Sequence, residues 1–559
     1  MTGASLVDGI VPWPDDFARR YRRRGHWRGT PLGRALDASF AAHRDRMAVV
    51  DGARRLTYGA LGGLVDRLAL HLAARGLHSG ARVIFQLPNV VEFVVAYVAC
   101  LKVGAIPVAC LPAHRHAEIG YLARHTEAAG WLIPADLRGV DAIVMAEEIR
   151  DLVPSLREVW VLGDRIGRGM TRLADLLADP IETRCPIADL ARLAPSPATA
   201  AVFQLSGGTT GVPKVIPRTH DDYLYNSLAS ADAAAVDRDS VLLIGVPIAH
   251  NFPLACPGVQ AALLLGARIV LAPSPDAETS LALIERERVT WVPAVPATVL
   301  SWLDHPRLGR TDLGSLRTLC VGGARLNPEP ARRVLDALGP VLMQVLGMAE
   351  GLLCYTRHGD PADVVVETQG RPVSPDDEIR IVDERGRDVA PGAIGELLAR
   401  GPYTIRGYYR AEAHNRTAFT EDGFYRTGDL VRRHPSGNLV VEGRRKDLIN
   451  RGGEKISAEE VETLIVAHPA VLDVAVVAMP DPVLGERACA CVVLREGARL
   501  TLGELTRYLG EERRIAKFKL PERLEVYERL PATAVGKISK AALRDDVRRR
   551  LETEATRRS

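Results

Sequence analysis

The sequence predicts an α/β protein: a large part built of parallel sheets covered by helices, then a smaller α+β domain. Three observations carry this. Short apolar runs alternate with helical stretches over most of the chain, a turn-rich charged region interrupts the pattern near Leu397 to Leu448, and a helix–strand–strand–helix pattern follows it. At 559 residues the chain exceeds what one core usually organises, since domains average roughly 150 residues.

The elements follow in order. Tyr58 to Arg75 repeats apolar residues at three and four and stops at Gly76, the pattern of an amphipathic helix. The apolar runs Arg82 to Leu87, Val159 to Leu162, Ala201 to Leu205, Val241 to Val246, Arg268 to Ala272, Leu316 to Val321 and Val341 to Leu346 read as buried strands. The sequences Glu421-Asp422-Gly423, Pro435-Ser436-Gly437-Asn438 and Gly443-Arg444-Arg445-Lys446-Asp447 are turn signals at a domain edge. Beyond them, Ala458 to His468 and Leu502 to Arg513 read as helices, and Val474 to Ala478 and Ala488 to Val493 as strands.

Composition narrows the function classes. Hydrophobic residues make up 47% and charged residues 25%, and the formal net charge is +3, so the balance suggests neither a nucleic-acid nor a membrane partner. The basic run Arg19 to Arg28 reads as a solvated helix end in preference to a phosphate-binding arm. The most apolar stretch, Val90 to Leu111, carries Glu92, Lys102, Gly104 and Pro107, which a spanning helix would hardly tolerate. The N-terminus lacks an apolar signal core, and the eight cysteines lack paired C-x-x-C spacing, so a soluble cytoplasmic protein with buried reduced thiols is expected.

One segment speaks directly of chemistry. After the strand Ala201 to Leu205 come Ser206, Gly207, Gly208, Thr209, Thr210, Gly211, Val212, Pro213 and Lys214. Glycines let backbone amides crowd round an anion, hydroxyls add donors, and Lys214 adds charge, so the segment reads as a phosphate loop. It lacks the Gly-Lys-Ser/Thr spacing of a Walker A loop.

This loop resembles the phosphate signature of the acyl-adenylate-forming (ANL) superfamily, and further matches follow in the family's order. They are Gly347-Met348-Ala349-Glu350, Tyr425-Arg426-Thr427-Gly428-Asp429, Gly443-Arg444-Arg445-Lys446-Asp447 and Pro531-Ala532-Thr533-Ala534-Val535-Gly536-Lys537. The resemblance implies a large N-terminal adenylate-forming domain, residues 1–445, and a mobile C-terminal lid domain, residues 446–559. It implies ATP and Mg2+ as cofactors, with Glu350 as the metal ligand and Asp429 and Arg444 on the ribose and phosphates. Lys446 falls on the hinge. Lys537 is the catalytic lysine, reaching the attacking carboxylate and the α-phosphate. Gly322, Gly323 and Ala324 form one wall of the adenine site, and Gly347, Met348 and Ala349 lie opposite. Leu346 stands where many relatives carry an aromatic residue. The Gly452-Gly453-Glu454-Lys455 turn resembles the loop lining the thiol tunnel.

The segment Ala249 to Gly258, with Pro12-Trp13-Pro14 and Phe17 to Tyr21, is similar to the subgroup that activates salicylate or 2,3-dihydroxybenzoate. There His250 is the aromatic-gate histidine of the catalytic centre, assigned packing and not base chemistry. Asn251 bonds the 2-hydroxyl, Phe252 forms a ring wall, and Gly322 completes the pocket. Dihydroxybenzoate enzymes usually place serine where this chain has Cys256 and valine where it has Leu353. A thiol donates weakly, so an unpaired 3-hydroxyl would cost on the order of 1–3 kcal/mol. Salicylate is therefore the expected acid and a separate aryl carrier protein with a phosphopantetheine arm the expected acceptor, since no carrier segment follows the lid. The alternatives are a 2,3-dihydroxybenzoate-AMP ligase or an aryl-CoA ligase, and from another class a catalytically silent relative that senses aryl acids.

Overall fold

The computed structural model describes residues 7–137, 139–206, 213–451, 454–481, 484–513, 515, 517–533 and 537–558. Among the described residues are four sheets of four or more strands. The largest runs Arg371–Pro372, Leu353–Tyr355, Leu342–Gly347, Thr318–Val321, Trp291–Ala294, Val241–Ile244, Arg268–Leu271, Met47–Asp51, Arg54–Thr57. From Leu342–Gly347 to Met47–Asp51 all neighbours pair parallel, and the antiparallel pairs lie towards the two edges. The second sheet, of seven strands, is parallel except where Ala200–Leu205 turns back antiparallel on Val215–Thr219. Every strand read from the sequence of this region is present, shifted by one or two residues at the ends.

Helix Val91–Val103 lies in the main core with Val94, Val98, Cys100 and Leu101 fully buried. That placement accounts for the long apolar stretch: a helix apolar all round is satisfied by packing on every face. It stops at Gly104, whose φ of +77° is a left-handed cap favouring glycine, and the chain re-enters the sheet as Ile106–Ala109. Among the described residues no helix is long and apolar enough to cross a membrane.

The turn-rich region holds more order than its sequence suggested. Glu378–Val382, Gly395–Arg400, Tyr425–Arg433 and Leu439–Arg444 form an antiparallel sheet. Alternate residues of Tyr425–Arg433 are buried, so this sheet packs one face and wets the other, a pattern that the frequent turns hide. The next strand, Leu448–Arg451, already belongs to a five-stranded sheet with Glu454–Ser457, Gly485–Leu494, Val471–Asp481 and Arg523–Val526. Its core of Ile449, Val461, Val476, Ala490 and Leu505 forms a cluster of its own. The helix read as Leu502 to Arg513 is α-helical only over Leu502–Arg507 and widens to a π turn at Tyr508–Glu512.

The basic run is the solvent-exposed helix end read from the sequence, and it also makes ion pairs. Helix Asp15–Arg23 is there, and Arg20 pairs with Glu378 at 2.9 Å, Arg22 with Asp221 at 3.1 Å, and Arg24 with Asp376. The partners come from distant segments, so the run joins the N-terminal helix to the body by charge. The eight cysteines are free thiols, and all but Cys185 are buried.

Candidate active site

Ser206 and Lys214, at the two ends of the glycine-rich segment, stand where two antiparallel strands meet. Leu205 pairs with Val215, the Ser206 amide donates to the Lys214 carbonyl at 2.9 Å, and the Lys214 amide donates to Ser206 Oγ at 3.0 Å. Gly207, Gly208, Thr209, Thr210 and Gly211 lie outside the described residues. The Lys214 ammonium lies 5.4 Å from the centre of the Tyr408 ring.

Tyr408 leads to Glu350. Its hydroxyl donates to Glu350 Oε1 at 2.7 Å and lies 2.9 Å from the hydroxyl of Tyr425. Burial, then the Glu350 carboxylate, raises the Tyr408 pKa, so the phenol stays a donor. Glu350 is 8% exposed and ends the turn after strand Leu342–Gly347. Among the described residues no cluster of three or more His, Cys, Asp or Glu could hold a metal. One buried carboxylate suits Mg2+ that is shared with phosphate oxygens, because that ion keeps few protein ligands.

Asp429 and Arg444 face each other across neighbouring strands, with Arg444 Nε 2.5 Å from Asp429 Oδ1. Burial raises the Asp429 pKa, against the pull of Arg444 and Lys537, and Asp429 in turn raises that of Arg444. Lys446 lies in the single 3-10 turn Arg445–Asp447, and its side chain is outside the described residues. So are Gly452 and Gly453 and the side chains of Glu454 and Lys455.

Lys537 comes from the small domain to this junction. A Cβ on Gly323 would lie 3.2 Å from Lys537 Cε and 3.7 Å from its Nζ, and the φ of +83° there already favours glycine. A Cβ on the neighbouring Gly322 would make ordinary contact with the Phe252 ring at 3.4 Å and Val345 at 3.4 Å. Ala324 is exposed beside them. Across the turn, a Cβ on Gly347 would lie 2.8 Å from Leu353 Cδ2. Met348 and Ala349 are half-buried, while Leu346 packs into the core beneath the four-stranded sheet with Leu352, Cys354 and Leu397.

His250 caps the short helix Asn251–Ala255, its Nδ1 accepting the Phe252 amide at 3.3 Å. Burial, with Lys537 adding to it, lowers its pKa to about 3, so the ring is neutral with its proton on Nε2. Phe252, Cys256 and Leu353 share one buried cluster with Val345 and Tyr355.

Several residues that sequence reasoning passed over complete the site. Gln204 Nε2 donates to the Tyr223 hydroxyl at 3.1 Å, and that hydroxyl donates to Asn251 Oδ1 at 2.7 Å. Asn251 Nδ2 points to Cys256 Sγ at 3.2 Å, and Asn226 Nδ2 approaches the same sulfur at 3.6 Å. Arg218, fully buried, holds the Asn226 carbonyl at 3.2 Å and Asp222 at 2.8 Å. The visible signal was Pro217-Arg218-Thr219 ending an apolar strand, with a carboxylate four residues on: a charge at a buried position calls for a partner.

The sequence matches the AMP-binding enzyme family over residues 36–409 and the AMP-binding enzyme C-terminal domain over residues 460–537. The chain belongs to the AMP-binding enzyme family. This AMP-binding enzyme is an adenylate-forming, ATP-dependent ligase with the fold of that superfamily. It is 52% identical to a salicylyl-CoA synthase / salicylate adenylyltransferase of a Streptomyces species, over 98% of this chain and 99% of that one. It is 46% identical to a 2,3-dihydroxybenzoate-AMP ligase of Bacillus subtilis, over 98% and 99%. Among solved structures it is similar to apo MbtA of Mycobacterium smegmatis, at 44% identity and a TM-score of 0.74, covering 97% of this chain and all of that one.

Proposed function

We propose that this enzyme activates salicylate to salicyl-AMP and passes the salicyl group to the phosphopantetheine thiol of a separate aryl carrier protein. The observation that carries the reading is the meeting of Lys537 with Gly323 beside the Phe252 ring, which shares a buried cluster with Cys256 and follows Asn251 in the chain. The relatives' named substrates, salicylate and 2,3-dihydroxybenzoate, support an aryl acid.

In the first step a carboxylate oxygen bonds to the α-phosphorus as the bond to pyrophosphate breaks. Charge grows on the non-bridging oxygens, and the Lys537 ammonium offsets it while holding the two reactants in line. Lys214 and the Ser206 to Gly211 loop take the outer phosphates, and Asp429 with Arg444 takes the ribose. Gly322, Gly323 and Ala324, facing Gly347 to Ala349, bracket the adenine. Glu350, held by Tyr408, would be the ligand for Mg2+, an ion that would offset charge on the leaving pyrophosphate. In the second step the carrier's sulfur bonds to the acyl carbon, AMP leaves, and the thiol proton passes to solvent. Residues 1–445 and 446–559 act as two lobes hinged at Lys446, which the change of sheet between Leu439–Arg444 and Leu448–Arg451 supports.

Asn251 takes the 2-hydroxyl and Cys256 with Leu353 leaves no good donor for a 3-hydroxyl, which favours salicylate over 2,3-dihydroxybenzoate. ATP–pyrophosphate exchange over a panel of aryl acids tests this. Salicylate should give the highest kcat/KM, and a higher value for 2,3-dihydroxybenzoate would overturn the substrate assignment.

A further inference from the structure

Asn251 can offer a ring substituent either its carbonyl or its amide N–H, and these select opposite partners. Tyr223 is fully buried and Gln204 is 2% exposed. Gln204 Nε2 donates to the Tyr223 hydroxyl, so the single Tyr223 proton goes to Asn251 Oδ1. On the other side Arg218, which can only donate, claims the Asn226 carbonyl, and this turns Asn226 Nδ2 towards the carbonyl of Ala255 at 2.7 Å and Cys256 Sγ. The sulfur is thereby an acceptor for Asn251 Nδ2 as well. Both ends agree: Asn251 is held with its carbonyl turned to Tyr223 and its amide nitrogen turned to Cys256, so a substituent on the amide side meets an N–H.

We propose that Gln204 and Tyr223 are specificity-determining positioning residues, which lock Asn251 as a hydrogen-bond donor and so restrict the acid to one whose ortho substituent accepts. The inference rests on the aryl-acid reading above. A 2-hydroxyl meets the demand, because its proton turns inward to the neighbouring carboxylate and leaves a lone pair outward. A 2-amino group does not: its lone pair is spread into the ring, one N–H bonds the carboxylate, and the other faces the Asn251 N–H. Two donors then oppose each other in a buried site. Tyr223→Phe removes the proton that pins the carbonyl. Gln204→Glu gives the Tyr223 proton a carboxylate acceptor, which turns the hydroxyl away from Asn251 and leaves its oxygen to accept the Asn251 amide turned over. Either change lets Asn251 present its carbonyl.

The test compares kcat/KM in ATP–pyrophosphate exchange for salicylate, 2-aminobenzoate and benzoate in the wild type and both variants, with folding checked by thermal unfolding. The wild type should favour salicylate over 2-aminobenzoate by roughly ten- to a hundredfold. In each folded variant that ratio should fall about tenfold, with benzoate changing by less than about threefold. A purely structural role would lower all three acids together. A salicylate to 2-aminobenzoate ratio unchanged in a folded variant would overturn the proposal. Exchange with none of the three acids in the wild type would instead remove the aryl-acid reading beneath it, and the proposal with it.

Discussion

Arg218 donates through Nη1 to the carbonyl oxygen of Ala349 at 2.9 Å, joining the strand after the phosphate loop to the turn that carries Glu350. The same guanidinium holds Asp222, Asn226 and the carbonyl of Tyr403. One buried cation thus ties Asp222 and Asn226 to the turn that ends in Glu350.

Removing only one member of this pair leaves a buried charge uncompensated. Arg218→Met should lower unfolding free energy by about 3–5 kcal/mol in denaturant titration. Replacing both, as Arg218→Met with Asp222→Leu, should recover part of that loss, which a double-mutant cycle measures. A double variant no better than the single would mean that the bonds to Ala349 and Tyr403, more than the charge pair, hold the region.

Lys537→Ala should reduce salicylate-dependent pyrophosphate exchange by about a hundredfold or more, while transfer from supplied salicyl-AMP to the thiol is largely kept. The two half-reactions are assayed separately. Wild-type exchange in the variant would remove Lys537 from the chemistry.

Cys256 receives two amide N–H groups and lies in one buried cluster with Phe252 and Leu353. Cys256→Ser keeps an acceptor for both and adds a competent donor, so the ratio of kcat/KM for 2,3-dihydroxybenzoate over salicylate should rise about tenfold. Adding Leu353→Val should raise it further by releasing volume. Steady-state kinetics on the two acids would reveal a flat ratio if neither side chain faces the 3-position.

His220 is 1% exposed, and its Nδ1 accepts the Leu32 amide at 3.3 Å. Burial lowers its pKa from 6.5 to about 3. Between those values the unfolded chain binds the proton and the folded one does not, so stability falls as pH drops below 6.5, by up to about 1.4 kcal/mol per unit. His220→Asn, which keeps an acceptor, should flatten unfolding free energy against pH from 6.5 towards 4. An unchanged slope would assign the acid sensitivity to other groups.

The basic run at Arg19 to Arg28 shows how far sequence reading reaches. Its helix was legible, because proline before Asp15 and an amphipathic pattern act locally. Its partners Asp221, Asp376 and Glu378 were not, because they are supplied by remote segments. The antiparallel sheet of Glu378 to Arg444 was missed for a related reason: strand pairing stabilises segments whose own turn content is high.

Local periodicity and the spacing of a few motifs were enough to determine the α/β class and the membership of the adenylating superfamily, since each depends on residues close together in the chain. The tertiary structure alone decided how the amide of Asn251 is turned. Whether Asn251 donates or accepts depends on which hydroxyl and which amide stand behind it, and Gln204, Tyr223, Asn226 and Arg218 reach it only when their strand and helix pack against its own. A hydrogen bond's direction is a property of the assembled network, so no single segment could have carried it.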